Sequence, residues 1–179
     1  MPKWEIHNKW AEQVGIPTEV SNYINRLIDF PEKCHDYLDF CAQPTEWSEG
    51  RNTNWPFTAR QWRTPETLQS QLKSLRQENL DKFCRLLYIA HDSSRSKSQG
   101  LQAHIQLKFL NAKGTEYMKA WYLHHILDYA EKEAHTFSLE DIFARLGDRT
   151  KPCYEFNTVK SFVRNKWGEI LQDLGYGKL

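Results

Sequence analysis

The sequence predicts an all-α fold, a compact bundle of about seven or eight helices with one long tryptophan-rich loop. Three observations carry that expectation. Apolar residues recur at three- and four-residue spacing from end to end. The recurring segments are punctuated by helix start and stop signals, with Pro near their beginnings and Gly at their ends. No segment alternates apolar and polar residues long enough to make a strand, and no internal repeat is present. A length of 179 residues, 40% of them hydrophobic, suits one domain or a domain with an appendage and excludes two large domains. Nine Phe, eight Tyr and seven Trp at near-zero net charge argue against intrinsic disorder.

The elements follow in chain order. Residues 3–14 place Trp4, Trp10, Ala11 and Val14 near one face, and Gly15 is a stop. Ile16-Pro17-Thr18-Glu19 starts a second helix, carried by Val20, Tyr23, Ile24, Leu27 and Ile28 until Pro31 ends it. A short third helix is expected from about Glu32 to Cys41. From Ala42 to Arg63 the text changes: Pro44, Gly50, Asn52, Asn54 and Pro56 alternate with Trp47, Trp55, Phe57 and Trp62, which reads as a long loop pinned by its aromatic residues. Thr64-Pro65-Glu66-Thr67 opens a long helix to about Ala90, and His91-Asp92-Ser93-Ser94-Arg95 ends it. Further helices are expected over 101–112, closed by Gly114, over 115–134, from the cap Ser138 to about Leu146, and over Thr158–Leu174, stopped by Gly175. Trp4, Trp10, Trp121 and Trp167 fall on helix faces and are expected in the core.

Composition narrows the class of protein. No apolar run approaches the roughly 18 residues of a membrane span. The N-terminal MPKWEIHNKWAEQ is charged and amphipathic, unlike a secretory leader. Cys34, Cys41, Cys84 and Cys153 include no C-x-x-C pair and read as reduced, mostly buried thiols of a cytoplasmic protein. The net charge of +1 conceals a gradient: residues 1–50 carry 4 basic and 9 acidic side chains, residues 51–125 carry 12 and 5, and residues 126–179 carry 8 and 9. The basic middle third is the natural place for a phosphate-containing ligand.

Histidine and aspartate supply the candidate chemistry. His35-Asp36 and His91-Asp92 are His-Asp dipeptides. His124 and Asp128 are four residues apart on an expected helix and so share a face one turn apart, with His125 about 100° round from His124. Imidazole with carboxylate is a donor set for manganese, iron, magnesium, zinc or nickel.

With His7 in EIHNKWAEQVGI, His91-Asp92 in YIAHDSSRSKS and Asp128 in WYLHHILDYAEK, the chain resembles the HD-domain metal-dependent phosphohydrolases. The resemblance covers most of residues 1–135, an HD-like core with residues 42–64 as a loop insertion, and leaves 136–179 as a C-terminal helical extension packed on the same domain. It implies that His7, His91, Asp92 and Asp128 hold a divalent ion (Mn, Ni, Mg, Fe or Zn), with His124 or His125 completing the site or a second ion. Such an ion acidifies a bound water and stabilises charge developing on phosphorus. Asp92 takes part in the chemistry, and Arg95 and Lys97 clamp phosphate oxygens of a nucleotide or nucleic-acid phosphodiester. The pattern departs from the family at two points: Ser-Ser-Arg follows the dipeptide in place of an apolar-Gly-Lys run, and the interval from His7 to His91 is long. A rival register takes His35-Asp36 as the pair, 28 residues beyond His7.

The sequence admits two other readings. In one, His91-Asp92 merely terminates a helix, His124, His125 and Asp128 form a hydrogen-bonded core cluster, and His7, His35, His104 and His135 lie on the surface. In the other, the chain is a non-enzymatic nucleic-acid-binding or regulatory interaction protein. That reading rests on Arg51, Trp55, Phe57, Arg60, Trp62 and Arg63, and on Arg149, Lys151, Lys160, Arg164 and Lys166 toward the C-terminus.

Overall fold

A computed structural model of the chain describes residues 3–42, 99–148, 150 and 153–176. Every regular element among them is helical, with no strand, so the all-α expectation holds. Seven α-helices are described: α1 (Trp4–Gln13), α2 (Thr18–Asp29), α3 (His35–Ala42), α4 (Gln99–Asn111), α5 (Thr115–Glu133), α6 (Leu139–Gly147) and α7 (Tyr154–Asp173). Ala42, the first residue of the expected loop, closes α3; the rest of that loop to residue 63, the helix over 64–90 and the segment from His91 to Lys97 lie outside the described residues.

Local chemistry explains most boundaries. At the end of α1, Gly15 takes φ 82°, and the Gly15 N–H to Glu12 C=O and Ile16 N–H to Ala11 C=O bonds form the paired closure of a left-handed helix stop. The end of α7 repeats the device: Gly175 has φ 89°, and Tyr176 N–H reaches Leu171 C=O. At the start of α6 the Ser138 hydroxyl accepts from the Asp141 N–H while the Asp141 carboxylate accepts from the Ser138 N–H, a full capping box.

Two boundaries differ from the sequence expectation. The single helix expected over Glu32–Cys41 is instead a 3₁₀ turn (Pro31–Lys33) followed by α3, because Cys34 takes a non-helical φ −104°, ψ 83° between them. The last helix starts at Tyr154, four residues before the expected Thr158, because the Cys153 sulfur accepts from the Phe156 N–H at 3.5 Å and caps it. A thiol is outside the usual set of capping side chains, so the sequence carries no ordinary start signal at Cys153.

The chain divides into two compact units, residues 1–25 with 103–179, and residues 26–102; the divisions fall within α2 and α4. In the first unit α5 is the central element and packs against α7, α6 and α1. All nine residues from Ala120 to Asp128 are buried, so this stretch of α5 has no solvent face. Aromatic side chains fill the surrounding space: Tyr122 stacks on Phe156 with centroids 4.8 Å apart, and Trp10 meets Phe162 edge-on at 6.3 Å. Trp121, 1% exposed, donates its indole N–H to the buried Gln106 at 2.7 Å. Trp10 and Trp121 are thus core residues as expected, whereas Trp4 and Trp167 are half-buried. The described part of the second unit comprises the end of α2, the 3₁₀ turn, α3 and the first residues of α4, with Leu27, Ile28, Cys34 and Tyr37 buried.

Candidate metal centre

His7 lies on α1 one turn before Trp10 and Ala11, and all three are buried, so the apolar face of the helix carries the imidazole inward. On α5 the four-residue interval between His124 and Asp128 aligns both side chains on one face, and the absence of any solvent face buries them as well. The three meet. His7 Nε2 is 3.5 Å from Asp128 Oδ1, His124 Nε2 is 3.6 Å from Asp128 Oδ2, and the two imidazole centroids are 4.2 Å apart. One donor atom from each residue falls within a sphere of mutual separation 4.8 Å, with each residue only 2% exposed. His7 is therefore not the surface residue of the alternative reading.

The spacing is compatible with ligation. An N–H donating to a carboxylate closes to about 2.7–2.9 Å, well short of either separation. Two donors each about 2.1 Å from one ion stand about 3.0 Å apart at a right angle and about 3.4 Å apart at the tetrahedral angle. The observed 3.5 and 3.6 Å are longer than such a hydrogen bond and close to that range. Two imidazoles with one carboxylate suit first-row divalent ions, and the residues present fit such an ion.

The rest of the expected site divides in two. His91, Asp92, Arg95 and Lys97 lie outside the described residues. His125 is not in the cluster; its ring packs against Trp121 at 4.2 Å and Tyr129 at 6.5 Å. His35 and Asp36, the rival pair, are exposed at the start of α3, where the Asp36 carboxylate accepts from the Tyr37 N–H at 2.9 Å. Of the other histidines, His135 is exposed.

Sequence reasoning missed the polar residues behind the cluster. Asn25, buried on α2, sets its carboxamide oxygen 2.8 Å from His124 Nδ1, and Asn8 and Asn22 continue the hydrogen bonding from Asn25. The available signal was an asparagine beside Ser21 at the edge of the Val20–Ile24–Ile28 apolar face.

Elsewhere in this unit the basic residues of α7 are engaged locally. Arg164 makes a two-pronged pair with Glu140 at 2.8 Å, which lowers the Glu140 carboxyl below its usual range, and Lys166 pairs with Glu169 at 2.8 Å. Lys160 lies 5.3 Å from the Phe143 ring and 5.2 Å from the Phe156 ring. No helix among the described residues is long and apolar enough to cross a membrane. The chain matches no protein-family model, no curated protein and no solved structure.

Proposed function

We propose that this chain is a metal-dependent phosphohydrolase acting on a nucleotide or a nucleic-acid phosphodiester. The observation that supports the reading is the meeting of His7 with His124 and Asp128 at ligand spacing, from helices more than a hundred residues apart in sequence. The resemblance to HD-domain hydrolases supplies the reaction class. His7, His124 and Asp128 would hold the ion, which when bound would supply an acidified water and neutralise charge developing on phosphorus. In this reading His91 and Asp92 would complete the ligand set, and Arg95 and Lys97 would bind phosphate oxygens by charge-assisted hydrogen bonds.

The test is elemental analysis of the purified protein, followed by assay on nucleotide, DNA and RNA substrates with Mn²⁺, Ni²⁺ or Mg²⁺. Metal-dependent release of phosphate or cleaved product is expected. Asp128→Ala and the double variant His91→Ala, Asp92→Ala should each lower the rate by roughly a hundredfold or more, since several kcal/mol of barrier lowering is lost with the ion. Activity that survives either variant refutes the assignment. Nucleic-acid binding without turnover, weakening steeply with salt, would replace it with a non-enzymatic reader.

A further inference from the structure

Asn25 is 1% exposed, and a buried carboxamide needs partners for both its ends. Its oxygen lies 2.8 Å from His124 Nδ1 and its nitrogen donates to Asn8 Oδ1 at 3.3 Å. Asn8 in turn donates to Asn22 Oδ1 at 2.8 Å. Three asparagines of α1 and α2 therefore form a directed chain of donors and acceptors that ends on the imidazole of α5.

We propose that Asn25 is a positioning residue that holds His124 as its Nδ1–H tautomer, so that the Nε2 lone pair is presented toward His7 and Asp128 to receive a divalent cation. The inference rests on the metal reading above for the role of the lone pair, but not for the tautomer. A carboxamide oxygen only accepts, so the nitrogen facing it must donate. The direction of the whole chain is the substance of the proposal. Turning all three amides over together would also pair every group, and would place the imidazole proton on Nε2, facing Asp128. The 3.6 Å from His124 Nε2 to Asp128 Oδ2 opposes that arrangement, because an N–H aimed at a carboxylate would draw closer. Outer partners that orient a ligating histidine in this way commonly contribute 10–100-fold in metal affinity.

Two readouts separate the tautomer from the metal. Long-range ¹H–¹⁵N correlation spectra of the metal-free protein at about pH 8.5, where imidazoles are ordinarily neutral, are assigned by comparison with His124→Gln. They should show His124 as Nδ1–H in the parent chain. The same tautomer is expected in Asn25→Asp, whose carboxylate also only accepts, and a shift toward Nε2–H in Asn25→Ala. Titration with Co²⁺ should show affinity falling roughly 10–100-fold in Asn25→Ala and largely recovering in Asn25→Asp. An Nε2–H signal for His124 in the parent chain overturns the proposal, and unchanged Co²⁺ affinity in Asn25→Ala overturns the positioning role. If the parent chain binds no Co²⁺ yet shows the Nδ1–H form, the metal reading fails while the tautomer assignment stands. Should Asn25→Ala not fold, Asn8→Ala, which frees the Asn25 amide to rotate, carries the same expectations in weaker form.

Discussion

Truncating opposite faces of α5 measures whether that helix is enclosed on all sides. Trp121 and Leu123 are two positions apart, which places them roughly 160° from each other around the axis, and both are 1% exposed. An ordinary amphipathic helix would bury one and leave the other in water. Here Leu123→Ala removes a fully buried isobutyl group and should cost about 2–5 kcal/mol, and Trp121→Ala about 3–5 kcal/mol. For a chain of this size each kcal/mol lowers Tm by about 2–4 °C, so a loss of about 3 kcal/mol appears as a drop of roughly 6–12 °C. Urea titration followed by circular dichroism at 222 nm gives the free energies without relying on tryptophan emission, and an unchanged slope certifies that the same surface unfolds. Lys132→Ala, on the exposed last turn of α5, is the control and should stay within about 0.5 kcal/mol of the parent. If either core variant also stays within that margin, the corresponding face of α5 is solvated. The burial of His124 and Asp128, and with it the low-dielectric setting of the candidate site, would then be wrong.

Two further outcomes follow from local chemistry. Ser138→Ala removes the cap of α6 and should lower stability by about 1 kcal/mol at pH 7. Ser138 donors hold the Asp141 carboxyl below its ordinary 3.8; a depressed value contributes stability above that pH and loses it as pH falls, so the deficit of the variant should shrink when the urea titration is repeated near pH 3. Tyr122 is pushed above the ordinary 10.0, first by burial and then by its hydrogen bond with Cys153. The neutral phenol is the form the fold favours, so its contribution is complete below about pH 10 and is lost as pH rises through the folded value. Alkaline difference absorbance should show a late-ionising tyrosine that Tyr122→Phe removes; a late phase that persists in Tyr122→Phe would contradict the packing of Tyr122 on Phe156.

What could be read from the sequence was local in origin. Gly15 and Gly175 end their helices where the periodicity predicts, since a left-handed stop depends on a few neighbouring residues. The alignment of His124 with Asp128 followed from a four-residue interval alone. The meeting of His7 with that pair was expected only through a family resemblance, because no property of residues 3–14 specifies which distant helix their inward face will meet. Asn25 was invisible for a different reason. An asparagine on a helix is ordinarily solvated, and only its burial against His124 turns it into a directing group. Cys153 was passed over as a packing residue because thiols seldom cap helices, although its sulfur accepts the Phe156 N–H and its proton faces the Tyr122 hydroxyl.

The enclosure of α5 also governs when its backbone can open. A helix wrapped on every side offers its amide protons no local route to solvent, so those from Ala120 to Asp128 should exchange only as fast as the unit unfolds. The ten-residue α1 has no side-chain N-cap hydrogen bond, and its first turn should open more often than the enclosed stretch of α5. His7 is thus carried by a helix whose start lacks a cap, and Asp128 by a stretch buried on all sides. Any cation shared between them would slow hydrogen exchange in both helices, because opening either one takes away a ligand and empties the site.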